Sequence, residues 1–89
     1  MTLTVKQLKE VMKFQLRNLS DANPDDITDD TIHGDVLSDE GFGTANPQRI
    51  YKAFIRFTLI KNSEEDKKWP SNWPQLSVAD LADKLLAKS

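Results

Sequence analysis

Gly34-Asp35-Val36-Leu37-Ser38-Asp39-Glu40-Gly41-Phe42-Gly43 is the stretch on which the reading of this chain turns. It is followed by Asn46-Pro47, which places a side-chain cap immediately before a proline suited to the first helical position. The segment Gln48 to Asn62 then predicts a helix with apolar residues on two stripes: Ile50, Ala53, Phe54, Phe57 and Ile60 on one side, Tyr51, Ile55 and Leu59 on another. A helix apolar over most of its circumference is expected at the centre of its fold. Gly41 and Gly43 bracket Phe42, which suggests backbone turns that other residues resist, with Phe42 as an anchor into the core. Any working site is expected at this turn into the central helix.

Upstream, Thr4 and Gln7 read as a capping box. Val5, Leu8, Val11, Met12, Leu16 and Leu19 follow at helical spacing, which predicts a first helix over residues 5–19 with one buried stripe. Ser20-Asp21-Ala22-Asn23-Pro24-Asp25-Asp26 is turn chemistry, and the residue before Pro24 is biased away from helix. Ile27, Ile32, Val36 and Leu37 are isolated apolar residues, expected to pin a long polar loop to the core. A loop of that length in a compact domain carries a function or a short turn of its own. Downstream, Ser63 to Lys68 reads as a solvated connector. The two Trp-Pro pairs at Trp69-Pro70 and Trp73-Pro74 are expected to lie as lids over the edge of the core, with a binding surface as the alternative. Ser77 caps a last helix with an apolar stripe of Val78, Leu81, Ala82, Leu85 and Leu86, running to about Ala87. The fold class is therefore all-α, a small bundle of three to four helices with a long first loop, and residues 1–89 form one domain.

The formal charge of −2 conceals segregation. Residues 21–40 hold eight acids and no Lys or Arg, whereas residues 41–61 hold four bases (Arg49, Lys52, Arg56, Lys61) and no acid. Such blocks steer a charged partner, or else the acidic loop docks on the two basic helices of the same molecule. Arg49, Lys52 and Arg56 recur at i, i+3 and i+7, so they line one edge, either a solvated face or a docking strip for an acidic partner. The lack of cysteine rules out a disulfide framework and a thiolate metal site. Met1 to Thr4 lead directly into a charged amphipathic segment, so a cytoplasmic location is expected.

Asp29 to Glu40 has EF-hand residues at positions 1, 6, 8 and 12, but Thr31 and His33 stand where oxygen-rich ligands belong. Pro24 and Gly41-Phe42-Gly43 also interrupt the flanking helices. No metal site is therefore expected. His33, the only histidine, reads as a loop residue.

With these elements in order, the chain resembles the acyl carrier protein superfamily. Gln15-Leu16 and Asp25-Asp26-Ile27-Thr28-Asp29-Asp30-Thr31 resemble the end of that family's first helix and the acidic stretch after it. Asp35-Val36-Leu37 resembles the segment leading to the prosthetic-group site. Arg56-Phe57 sits where the family's central helix ends, and Leu76-Ser77-Val78-Ala79-Asp80-Leu81 resembles its final helix. The resemblance implies a serine at the start of the central helix that carries 4′-phosphopantetheine. Counting forward from Ile27-Thr28 places that serine on Gly41, and counting back from Phe57 places it on Gly43. Neither has a nucleophile. The nearest serine is Ser38. The family's central helix is acidic, whereas this one presents Arg49, Lys52 and Arg56, so the family's usual partners meet like charge.

The leading expectation is thus a carrier-like domain without a prosthetic group. It is expected to act as a non-catalytic protein-interaction or regulatory module, with Arg49, Lys52, Arg56, Asp39 and Glu40 as contact residues. The alternatives are a working carrier with its arm on Ser38, and a small nucleic-acid-binding protein using the basic helix. No nucleophile–base pair is evident, so an enzyme is not expected.

Overall fold

Thr4 opens the first helix as the sequence predicts. Its hydroxyl accepts from the Gln7 amide at 3.1 Å, and the Gln7 side chain accepts from the Thr4 amide at 2.9 Å. Helix α1 then runs Val5–Leu19 and buries Leu8, Met12 and Leu16. The computed structural model describes residues 3–63 and 69–87. Among them are three further helices: α2 (His33–Val36), α3 (Pro47–Ser63) and α4 (Val78–Ala82). The described residues form no strand, and the molecule is a small all-α bundle.

The long first loop is held from two sides. On one side, the basic face of α1 takes it in. Lys13 Nζ lies 2.9 Å from Asp29 Oδ1 and 2.8 Å from Glu10, and Lys9 Nζ lies 3.4 Å from Asp29 Oδ2. The guanidinium of Arg17 donates to the carbonyls of Pro24 and Ile27. On the other side, the loop meets the start of α4. The amides of Val78 and Ala79 donate to the carbonyls of Thr31 and Asp29, both at 3.0 Å, while the Asp80 amide is capped by Ser77. The first amides of a helix have no partner within it. Here two of them are satisfied by a segment more than forty residues upstream. Of the four apolar residues expected to pin this loop, Ile27 and Leu37 are buried and Val36 packs against the core, while Ile32 makes a bridge to Ser77.

The core joins Leu8, Met12 and Leu16 of α1 to Tyr51, Ile55 and Leu59 of α3, with Val78, Leu81, Ala82 and Leu85 from the C-terminal coil. That coil extends to Ala87 as expected, but its last stretch, Asp83–Ala87, widens into a π-helical turn. Trp73 is buried and stacks on Tyr51 at 5.8 Å between centroids; Trp69, half-buried, stands edge-on to Trp73 at 5.3 Å. The lid expectation fits Trp69, whereas Trp73 belongs to the core itself. Glu64 to Lys68, expected as a solvated connector, lie outside the described residues.

Three expectations do not hold in the structure. Phe42 does not anchor in the core but is 90% exposed. The central helix is not enclosed all round: among its described side chains only the Tyr51, Ile55 and Leu59 stripe is buried. His33 is not a loop residue but a fully buried one that begins α2.

His33 is buried because both ring nitrogens find partners. Nδ1 lies 2.8 Å from the Leu76 carbonyl and Nε2 lies 2.8 Å from the Tyr51 hydroxyl. A carbonyl only accepts, so Nδ1 carries the proton and Nε2 accepts from Tyr51. Burial pushes the imidazole below its ordinary value, opposed in part by the bond to Leu76. Burial likewise raises the Tyr51 phenol well above its ordinary value. The glycine that follows completes the joint. A Cβ on Gly34 would stand 2.9 Å from the Pro74 carbonyl oxygen, so α2 approaches the 73–75 turn more closely than a larger residue allows.

Candidate docking face on the central helix

Asn46 organises the turn into α3. Its Oδ1 accepts from the Arg49 amide at 3.2 Å, which caps the helix, and its Nδ2 donates to Asp39 Oδ1 at 3.0 Å and to the Gly41 carbonyl at 3.3 Å. A buried amide that both caps the helix and gathers the preceding turn fixes residues 39–46 as one unit. Gly41 and Gly43 have φ of 101° and 54°, in the region that favours glycine. A Cβ on Gly41 would also meet the Ala45 carbonyl oxygen at 2.8 Å. Both positions onto which the family resemblance projects a serine therefore precede α3 and have left-handed backbone.

Ser38 is exposed beside this turn. Its carbonyl accepts from the Gln48 amide in the first turn of α3 at 3.3 Å, and its hydroxyl accepts from the Glu40 amide at 3.1 Å. Asp39 and Glu40 are exposed next to it, with Asp39 tied to Asn46.

The outward face of α3 is apolar. At 3.6 residues per turn, Ile50, Ala53, Phe57 and Ile60 lie opposite Tyr51, Ile55 and Leu59, and Phe54 lies at the shoulder. Phe57 is 63% exposed, Ile60 43% and Phe54 38%. The strip from Ile50 to Ile60 is about 15 Å long at 1.5 Å per residue. At its N-terminal end lies a shallow hollow of about 260 Å³, lined by Gly43, Arg49, Ile50 and Ala53. Single exposed apolar residues are ordinary, whereas Phe54, Phe57 and Ile60 are neighbours on one helix and form a contiguous strip.

The predicted basic edge is present in altered form. Arg49 and Arg56 are exposed along one side of the strip. Lys52 is half-buried, with its ammonium 5.7 Å from the Trp69 ring centroid, so it faces the tryptophan pair. Lys61, which the periodicity did not single out, stands at the other side with Nζ 5.9 Å from the Phe57 ring. The structure thus separates the sequence-predicted contact residues into two groups. Asp39 and Glu40 lie in the turn before the helix, and Arg49 and Arg56 lie along its strip. The strip was visible in the sequence as a helical stripe, but nothing in the spacing said that this stripe, and not the Tyr51 one, would face outward.

Among the described residues, no group of three or more His, Cys, Asp or Glu side chains is placed to hold a metal ion, and no helix is long and apolar enough to cross a membrane. Comparison with protein-family models, with curated proteins and with solved structures finds no match to this chain.

Proposed function

We propose that this chain is a non-catalytic, carrier-like helical domain that acts as a protein-interaction module, with α3 as its contact element. The observation that carries the reading is the apolar outward strip of α3, bordered by bases. The order of elements supports the carrier likeness: a long helix, a long loop containing a short helix, a second long helix and a short final one. The left-handed backbone at Gly41 and Gly43 supports the absence of a prosthetic group, since a helix-borne serine has no equivalent position there.

A second reading is favoured by one observation. Ser38 is exposed and its carbonyl bonds to the first turn of α3, so a hydroxyl is available beside the helix start. In that case Ser38 carries 4′-phosphopantetheine and the protein is a working carrier. Intact-protein mass spectrometry separates the two. After incubation with coenzyme A and a promiscuous phosphopantetheinyl transferase, the interaction-module reading expects an unchanged mass. A gain of one phosphopantetheine that disappears in Ser38→Ala would replace it with the carrier reading.

A further inference from the structure

We infer that the occupant of the α3 face is an acidic amphipathic helix of a partner protein, an inference that rests on reading α3 as the contact element. The strip is narrow, about 15 Å long at 1.5 Å per residue, and straight because it follows one helix axis. A second helix laid along it places its own apolar ridge on Phe57, Ile60 and Ala53, in the manner of helix-in-groove recognition. The hollow at Gly43, Arg49, Ile50 and Ala53 offers a seat for one protruding side chain at the end of that ridge.

Charge selects the occupant. Residues 41–61 carry four bases and no acid. Arg49 and Arg56 border one side of the strip and Lys61 the other, so carboxylates on both flanks of an incoming ridge find opposite charge. A second copy of this chain presenting its own α3 would bring these bases against their equals, which disfavours a symmetric α3–α3 dimer. A flat anionic bilayer also attracts an apolar strip edged with bases. The exposed Asp39 and Glu40, in the turn that meets the N-terminal end of the strip, repel such a surface, whereas a slender helix along α3 contacts the bases without covering them.

The test is selection from a displayed library of amphipathic helices with randomised flanking positions, using the whole protein as bait. Phe57→Ser and Arg49→Glu serve as counter-baits; both side chains are exposed, and circular dichroism verifies that the helices persist. The expected outcome is enrichment of sequences with apolar residues at i, i+3, i+4 and i+7 and net negative flanks. Their affinity is expected to fall at least tenfold on either counter-bait and to weaken as salt rises. Enrichment of neutral or basic helices that Phe57→Ser still abolishes would overturn the acidic occupant while leaving α3 as the contact element. Enrichment unaffected by either substitution, or none at all, would overturn the reading of α3 itself. Binding to phosphatidylserine vesicles in preference to any selected helix, or a concentration-dependent dimer lost in Phe57→Ser, would replace the partner helix with a membrane or a second copy.

Discussion

His33 is held by two bonds, and the one that Nε2 accepts from Tyr51 exists only while that nitrogen is unprotonated. Its folded-state value is depressed, chiefly by burial, so the folded molecule binds fewer protons than the unfolded chain when the pH is below the ordinary histidine value. The contribution of His33 to stability is therefore complete above about pH 6.5, the ordinary value, and declines as the pH falls from there toward the folded one. Urea midpoints measured between pH 7.5 and 5 should drop for the wild type. In His33→Gln the histidine part of that slope should vanish, at a loss of about 1–3 kcal/mol near neutral pH from the disturbed buried bonds. An unaltered slope in the variant would show that another group governs it. Asp29 acts in the same direction at lower pH: the Lys13 ammonium holds its carboxyl below the ordinary range, so its stabilisation is present above that range and is lost on acidification. This histidine could not be located from the sequence. It stands alone in a polar loop, and its partners are 18 and 43 residues away, beyond any periodicity.

At the scale of elements, caps and single stripes were legible and facing was not. Thr4 with Gln7, Asn46 with Pro47, and Ser77 each announce a helix start through local chemistry, and the structure places a helix at each. The stripe of α1 is also readable, because Leu8, Met12 and Leu16 have no rival apolar face. Helix α3 has two candidate faces. Two of its aromatic residues, Phe54 and Phe57, lie outside the core, while Tyr51 goes inside because its hydroxyl has His33 to bond. Apolarity alone would have chosen the other way. Phe42 was misplaced for a related reason: flanking glycines set the path of the backbone but say nothing of where the side chain points. The candidate site was therefore half legible, its residues visible as a set and its exposure only in three dimensions.

Asn46 is the element-scale test of how the turn and helix are coupled. Asn46→Ala removes the α3 cap and both bonds to the preceding turn. Loss of a cap of this kind costs about 0.5–2 kcal/mol, so the thermal midpoint should fall by several degrees for a domain of this size. Asn46→Asp keeps the accepting oxygen but sets a carboxylate beside Asp39, and should recover only part of the loss. Full recovery by Asp would mean that the bond to Asp39 is immaterial.

For the molecule as a whole, the charge blocks of the sequence resolve into two different uses. The acidic loop and the basic face of α1 answer one another through Asp29, Lys9, Lys13 and the Arg17 bonds to carbonyls. The intramolecular docking anticipated for the loop is thus realised on α1. The bases along the outer side of α3 edge an apolar strip instead, which is why the proposed function rests there.

The backbone pairing of the first loop with the start of α4 has a kinetic consequence. The five residues of α4 are too few to hold a helix in isolation. Its first two hydrogens are clasped by carbonyls at Thr31 and Asp29, and the amide of His33 is clasped in return by Leu76. These three hydrogens can reach solvent deuterium only when the clasp parts, so Val78, Ala79 and His33 should exchange at a common rate, as one opening unit. Lys13→Ala, which loosens the hold of α1 on Asp29, should quicken all three together and leave the mid-helix amides of α3 slow. Independent rates at the three sites would show that loop and helix part separately. A common rate would make the first loop and the start of α4 a single latch.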